Sequence, residues 1–264
     1  MSAITLPIRQ YRVYTDLDVP SREENFGYVE RAWPLPVDQT GLVLIDCWDR
    51  HYVQSHLERN VRIVQERLLP MVEACRKAGI AIIHAPSPPT ATKYPQWLRY
   101  ADDDLLFGRD VPAPDWPPQN FVRRQGEYVV YAPPEEPRMA AIVQERTDRR
   151  IMPALAPQPE DFVVVNGAQL HRLCHHRRIL HLLYAGFAAN ICVLYRDYGI
   201  RAMSMERRYN VILIRDCTSA IETHDTVQNE LMLKMAVRTV EMNFGNSYGS
   251  STTAQQLIEA CAAL

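Results

Sequence analysis

The sequence predicts an α/β fold in three layers, with a doubly wound, mostly parallel sheet and a long proline-rich insertion. Two observations carry this prediction. Five short apolar runs are rich in β-branched residues and show no alternation, which suits parallel strands covered on both faces. Apolar residues at helical spacing lie between several of these runs, and alternating strands and helices favour right-handed crossovers within one sheet.

The strands are predicted from the apolar runs. They are GLVLID (41–46), IAIIHA (80–85), DFVVVN (161–166), LHLLYAG (180–186) and NVILIRD (210–216). A sixth strand, around 238–244, is the least supported member of the set.

Four helices are predicted around these strands. Residues 54–78 carry apolar side chains at helical spacing and end at Gly79, a residue typical of helix C-termini. Similar patterns cover residues 189–207 and 225–240, and the sequence TAQQLIEACAAL predicts a terminal helix.

We interpret residues 1–264 as a single domain with an N-terminal extension, 1–39, and an insertion at about 86–160. Fourteen of the nineteen prolines lie between Pro86 and Pro159, a density that opposes long helices and central strands. Long loops of this kind usually cover a site or form an interface. A mobile surface excursion is the alternative.

The composition limits the classes of partner and compartment. A net charge of −2 gives no electrostatic case for binding nucleic acid or an anionic membrane, and no apolar run approaches the roughly 20 residues of a membrane span. The six cysteines are scattered without paired spacing, which favours reduced thiols over disulfides or a zinc site. We therefore expect a cytoplasmic protein that acts on a small-molecule substrate.

Reactive side chains are expected where the predicted strands end, because ligands of open α/β sheets bind beyond the carboxyl ends of strands. Asp46, His84, Asn166 and Asp216 end predicted strands, and the segment from Gly186 to Cys192 follows another. Asp46 and Cys192 form a candidate pair of general base and nucleophile, since a helix N-terminus favours a thiolate. Burial of Cys192 as a core residue is an equally good interpretation, because free cysteine is among the most buried residue types. Asp216 is expected to cap a neighbouring element rather than react.

The motifs GLVLIDCWD, GFAANICV, DYGI and YNVILIRDCTSA together resemble the isochorismatase-like cysteine hydrolases. That family includes nicotinamidases, N-carbamoylsarcosine amidohydrolases and ureidoacrylate or biuret-type amidohydrolases. The resemblance covers roughly residues 40–87 and 160–245. It implies a Rossmann-like strand order and no cofactor, and it implies a homo-oligomer because relatives commonly assemble.

The resemblance also implies a mechanism and its residues. Asp46 would be the base and Cys192 the nucleophile, with the backbone amides of Ala188 and Cys192 as the oxyanion hole and a cis peptide at Phe187–Ala188. The implied enzyme is a hydrolase that cleaves the C–N bond of a small amide, carbamoyl or ureido compound through a thioester-type acyl-enzyme.

The chain departs from the family at one position. The family carries a lysine at the end of the third strand, where this sequence has Asn166, which can donate a hydrogen bond but brings no positive charge. Candidate replacements are Arg149, Arg150 and Lys93. The missing lysine leaves two alternatives: a vinyl-ether hydrolase of the isochorismatase type that uses Asp46 without a nucleophilic cysteine, or a catalytically degenerate small-molecule-binding homologue.

Substrate contacts are expected from Trp48, Phe187 and His84, with the two aromatic side chains as apolar walls of a pocket. Packing in the core is an equally good interpretation for Trp48 and Phe187. Asp49, His51 and His84 resemble the metal site of nicotinamidases. Three isolated residues more often form a hydrogen-bonded set, so we predict no metal.

Overall fold

The computed structural model describes residues 2–101, 116–243 and 248–264. Within them, nine strands form one sheet in the order β2-β1-β9-β7-β6-β3-β4-β5, with β8 beside β1. The strands are β1 (Ala3–Arg12), β2 (Gly27–Pro36), β3 (Thr40–Ile45), β4 (Ala81–Ala85), β5 (Phe162–Val163), β6 (His181–Phe187), β7 (Asn210–Ser219), β8 (Met242–Asn243) and β9 (Ser250–Thr252).

Helices cover both faces of this sheet. They are α1 (Gln54–Ile63), α2 (Leu69–Ala78), α3 (Pro88–Ala91), α4 (Gln119–Val122), α5 (Met139–Asp148), α6 (Gly167–Arg177), α7 (Leu231–Glu241) and α8 (Ala254–Ala262). Apolar side chains of α2 and α8 bury one face, and those of α6 and α7 bury the other. This arrangement confirms the three-layer α/β fold. None of the helices in the described chain has the length and apolar character that a bilayer crossing needs.

All five predicted strands are present, and each pairs in parallel with its neighbour from β7 to β5. Two bounds differ from the prediction. The third strand is only the two residues of β5. The fifth continues to Ser219, so Asp216 lies inside β7, where its carboxylate accepts the Ala254 amide at the start of α8. The expected capping role of Asp216 is confirmed.

The N-terminal extension contains two strands of the sheet. β1 and β2 form a long antiparallel pair, and β1 also contacts β8 and β9. The reason is visible in β1, where Ile4, Leu6 and Ile8 are buried and the residues between them are more exposed. This period of two is typical of a strand with one buried face.

The predicted sixth strand, around 238–244, is present only in part. Residues 238–241 are the last part of α7, β8 is a two-residue strand that pairs with β1, and residue 244 lies outside the described residues. The strand beside β7 is instead β9, whose residues Ser250, Ser251 and Thr252 are buried and polar. β9 contains no apolar run, so a search for such runs could not find it.

The predicted helices are present with interruptions. Residues 54–78 form one helical stretch, in which a π-helical segment (Val64–Leu68) joins α1 and α2, and Gly79 ends it at φ 86°. Residues 189–207 do not form one regular helix, because two π-helical segments (Ala189–Val193 and Ala202–Glu206) are separated by a turn. The third helix begins only at Leu231, and the terminal helix has a Thr253 capping box.

Gly186, at the end of β6, is required by close packing against β3. It has φ 114°, and a Cβ built there would lie 2.0 Å from the Ile45 carbonyl oxygen. We therefore expect Gly186→Ala to lower the free energy of unfolding by about 3 kcal/mol, measured by urea denaturation. Gly27→Ala is the matched control, because its Cβ would meet nothing within 4 Å. Equal denaturation midpoints for the two variants would contradict this account of the turn.

Candidate active site

The site lies at the carboxyl ends of two adjacent central strands, β3 and β6. The next strand in the chain, β4, lies on one side of β3 in the sheet, and β6 lies on the other side. The site is therefore at the point where the strand order reverses, which is where ligands of open α/β sheets bind. Asp46 follows β3 with φ 45°, a left-handed backbone conformation uncommon for a residue other than glycine. The peptide bond Phe187–Ala188 at the end of β6 is cis, as the family resemblance implied.

A cavity of about 560 Å³ opens at this point. Asp46 and Cys192 both line it, so the structure brings the predicted base and nucleophile together. Trp48 and Phe187 line it as predicted, and so does Ala188. The proline-rich insertion contributes Ser87, Pro88, Pro89, Arg146 and Arg149 to its wall, so the described part of that segment helps to cover the site.

Asp46 and Cys192 lie close enough for each to shift the pKa of the other. Asp46 is 1% exposed. Its Oδ1 accepts the Ser87 backbone amide at 2.7 Å, and its Oδ2 accepts Arg196 Nη2 at 3.1 Å. Cys192 is half-buried, whereas the other five cysteines are buried. The Cys192 side chain therefore lies beside a base and in the wall of the cavity.

Burial and charge set the protonation of this pair. Burial raises the pKa of Asp46 above its ordinary value, and the Arg196 charge and the hydrogen bonds to the carboxylate oppose that rise. Burial and then the Asp46 charge raise the pKa of the Cys192 thiol to about 12, and Arg196 opposes this too. At neutral pH the sulfur therefore carries its proton, with an ionisable carboxyl placed to remove it.

Arg196 is the cation of the site, and sequence reasoning missed it. Its side chain lines the cavity and forms an ion pair with Asp46. The signal was its position four residues after Cys192, a spacing that brings side chains together in a helical segment.

Two of the three cations that the sequence suggested, Arg149 and Lys93, have other partners. Arg149 forms an ion pair with Glu145 and lies 3.9 Å from the Trp48 ring centroid. Lys93 Nζ donates to two backbone carbonyls, and Arg150 is exposed. Asn166, at the position of the family lysine, lines the cavity and caps α6 by accepting the Gln169 amide at 2.9 Å.

His84 does not line the cavity, so its predicted substrate contact is corrected. The ring is 1% exposed, and Nε2 lies 3.2 Å from Asp161 Oδ2. Arg76 of α2 forms an ion pair with the same carboxylate. The cause is the alternation of side chains along β4, which turns His84 away from the site although it lies near the carboxyl end of its strand.

Asp49, His51 and His84 do not converge on one point. The Asp49 carboxylate accepts the Arg150 amide, and His51 Nδ1 accepts the Val53 amide. Burial, with the nearby Arg149, lowers the pKa of His51 to about 4, so the ring is neutral at pH 7. Among residues 2–101, 116–243 and 248–264, no group of three or more histidine, cysteine or acidic side chains could hold a metal ion. These residues do not fit the metal site they resemble in sequence.

Comparison with known proteins gives a family and a fold. The family model described as an isochorismatase domain matches residues 40–242. A cysteine hydrolase from Pseudomonas syringae pv. phaseolicola 1448A is 18% identical, with a TM-score of 0.57, over 88% of this chain and 96% of that chain. At this identity the likeness concerns the fold.

Two further solved structures match less closely. The N-carbamoylsarcosine amidase from Thermoplasma acidophilum is 13% identical over 82% of this chain and 96% of that one, with a TM-score of 0.44. A nicotinamidase/pyrazinamidase from Bacillus subtilis is 13% identical over 81% and 99%, with a TM-score of 0.43. No curated protein sequence matches this chain.

Proposed function

This chain belongs to the isochorismatase family of hydrolases, and on that premise we propose that it is a cysteine-dependent hydrolase. It cleaves the C–N bond of a small amide, carbamoyl or ureido compound through a thioester-type acyl-enzyme. The observation that carries the proposal is that Cys192 and Asp46 line one cavity and shift each other's pKa, while Asp46 Oδ2 accepts from Arg196 Nη2 at 3.1 Å. Nucleophile, base and cation thus lie together within one cavity.

The first half-reaction forms the acyl-enzyme. Asp46 takes the thiol proton as the sulfur attacks the carbonyl carbon, and negative charge develops on the carbonyl oxygen. The backbone amides of Ala188 and Cys192, two residues that line the cavity, stabilise that oxygen. The C–N bond then breaks, and the leaving nitrogen takes the proton from Asp46.

The second half-reaction regenerates the enzyme. Asp46 takes a proton from water, whose oxygen attacks the thioester carbon, and the sulfur leaves as thiolate and recovers a proton from Asp46. The products are an amine or ammonia and a carboxylic or carbamic acid. Arg196 favours the ionised form of Asp46 between the steps, because a guanidinium stays charged throughout the physiological range.

The raised pKa of Asp46 favours a second candidate function. A carboxyl that holds a proton can donate it to the terminal carbon of a vinyl ether. Water then adds to the oxocarbenium carbon and returns a proton to the carboxylate, and the hemiketal releases an alcohol and a carbonyl compound, so no nucleophilic thiol is needed. This is the isochorismatase type of reaction, in which Asp46 acts as an acid.

Asp46→Ala and Cys192→Ala separate the candidate functions. The panel contains primary amides, ureas, N-carbamoyl amino acids and an enolpyruvyl (1-carboxyvinyl) ether, with release of ammonia or pyruvate as the readout. Loss of ammonia release in both variants supports the amide hydrolase. Loss only in Asp46→Ala, with the vinyl ether as substrate, replaces it with the ether hydrolase. No turnover of any compound by the unmodified protein contradicts both and leaves a catalytically degenerate binding homologue.

A further inference from the structure

The wall of the cavity is richer in cations than the chain as a whole. Four arginines and two aspartates line it, in a protein whose net charge is −2. The lining histidines add no charge at neutral pH, because burial lowers the pKa of His51 to about 4 and that of His56 to about 3. A concave site lined by one sign of charge concentrates ligands of the opposite sign.

One of the four arginines has no ion-pair partner among the described residues. Arg50 pairs with Asp49 and Asp148, Arg149 with Glu145, and Arg196 with Asp46. Arg146, on α5 of the proline-rich insertion, is exposed at the cavity, and its guanidinium lies 5.8 Å from the Tyr52 ring centroid. It can therefore bind a negative group of a ligand without breaking an existing ion pair.

Two other donors in the cavity wall are buried without a hydrogen-bond partner in the described part of the chain. They are Trp48 Nε1 and Arg196 Nε. A buried N–H without an acceptor is unfavourable, because it has lost its hydrogen bond to water and gained none in the protein. Acceptor atoms of a bound substrate would remove this cost, so the cavity is suited to a ligand that presents oxygen acceptors.

One wall of the cavity is aromatic, because Trp48, His51 and Tyr52 all line it. The Trp48 and His51 rings are stacked on each other at 6.1 Å with an interplanar angle of 16°, and those of His51 and Tyr52 at 4.7 Å with an angle of 20°. Such a row of rings offers apolar surface to a conjugated ligand. Arg146 lies beside Tyr52 at the end of this row of rings.

We propose that the substrate is a planar amide that carries a carboxylate remote from the bond to be cleaved, and that Arg146 binds this carboxylate. The inference rests on the proposed amide hydrolysis for its scissile bond. The planar body lies along Trp48, His51 and Tyr52, and the unpartnered N–H groups of Trp48 and Arg196 donate to substrate oxygens. Arg146 is thus a specificity-determining residue supplied by the insertion.

Two isosteric probes test the charge preference. They are 4-carbamoylbenzoate, which is anionic, and 4-acetylbenzamide, which is neutral and of similar size and planarity. We expect a higher kcat/KM for the anionic probe. Arg146→Gln should lower kcat/KM for that probe about fivefold through KM, because an exposed ion pair contributes up to about 1 kcal/mol, and should leave the neutral probe unchanged. Sodium chloride at about 0.5 M should lower the ratio of kcat/KM for the anionic probe to that for the neutral probe in the unmodified protein, because salt screens the charge of Arg146.

Arg138→Gln is the matched control, an exposed arginine at the N-cap of the same helix that does not line the cavity. This variant should leave kcat/KM unchanged for both probes. Equal kcat/KM for the two probes, or an equal loss for both in Arg146→Gln, would overturn the inference.

Binding separates this inference from the proposed hydrolysis. Calorimetry on Cys192→Ala measures the affinity of each probe without turnover. If neither probe is hydrolysed, tighter binding of 4-carbamoylbenzoate that Arg146→Gln abolishes would support the anion site while counting against hydrolysis. Equal affinity of both probes would overturn the anion site whether or not amides are hydrolysed.

Discussion

Arg196→Gln is expected to lower kcat about a hundredfold and to move the acidic limb of the pH–rate profile to higher pH. Asp46 must be ionised to take the thiol proton, so activity is present above its pKa and lost as pH falls through that pKa. Burial raises this pKa, and Arg196 opposes the rise. Removing the guanidinium therefore raises the pKa further and costs activity first on the acidic side. A pH–rate profile of each variant is the measurement.

Two variants control for structural damage. Arg196→Lys keeps a positive charge and should restore part of kcat and of the original acidic limb. Arg201→Gln removes an exposed arginine in the same region, whose nearest acidic partner is Glu206 at 3.9 Å, and should leave the profile unchanged. A lower kcat in Arg196→Gln with the acidic limb in its original place would show that Arg196 only supports the fold.

The same pair makes stability depend on pH. The pKa of Asp46 in the folded protein lies above its unfolded value of 3.8. Its contribution to the free energy of unfolding is therefore fully present below pH 3.8, and it is lost as pH rises through the folded-state pKa. Without Arg196 the ionised, fully buried carboxylate has no cation beside it. We expect Arg196→Gln to lower the free energy of unfolding by about 2–3 kcal/mol at pH 7 and by less near pH 4. The figure is at the low end for a buried pair because the arginine is partly exposed. Denaturant titrations at both pH values measure this, and an equal loss at both would contradict it.

Cys192→Ala is expected to lower kcat about ten-thousandfold or more, because it removes the atom that forms the acyl-enzyme. Substrate binding should remain, since the cavity wall is otherwise unchanged. The free energy of unfolding should change by about 1 kcal/mol at most, because the side chain is only half-buried. Steady-state rates, calorimetry and urea denaturation together measure these effects.

Tyr195→Phe is the control for that variant, since Tyr195 is 65% exposed and does not line the cavity. It should retain full activity. Retention of amide hydrolysis by Cys192→Ala would remove the nucleophilic role of the thiol and leave Asp46 as the reacting group.

The part of the site that the sequence predicted is the part held in local motifs. Asp46 follows an apolar run, and Ala188 and Cys192 lie in one short segment, so motif and strand end point to the same place. Arg196 lies four residues after Cys192, whereas the predicted cations Arg149, Arg150 and Lys93 all lie upstream, because a lysine was expected at the end of the third strand. The prediction that His84 contacts substrate was wrong for a different reason. Its position near the end of a strand does not determine which face of the sheet its side chain lies on.

The fold was predictable where burial produces a pattern in the sequence. The central parallel strands are apolar on both faces, and β1 alternates with a period of two. β9 is buried through serine and threonine and pairs with β7 and β1, so only the tertiary structure identifies it as a strand. The π-helical segment that holds Cys192 likewise depends on its packing at the end of β6 rather than on apolar spacing.

The acyl-enzyme is tested most directly with p-nitrophenyl acetate, an activated ester that needs no knowledge of the natural substrate. We expect a burst of one equivalent of p-nitrophenolate and, after acid quenching, one acetyl group on the Cys192 peptide by mass spectrometry. Asp46→Asn should slow the burst, and Cys192→Ala should abolish it. No burst, or acetyl groups on lysines with Cys192 unmodified, would contradict the nucleophilic role of Cys192.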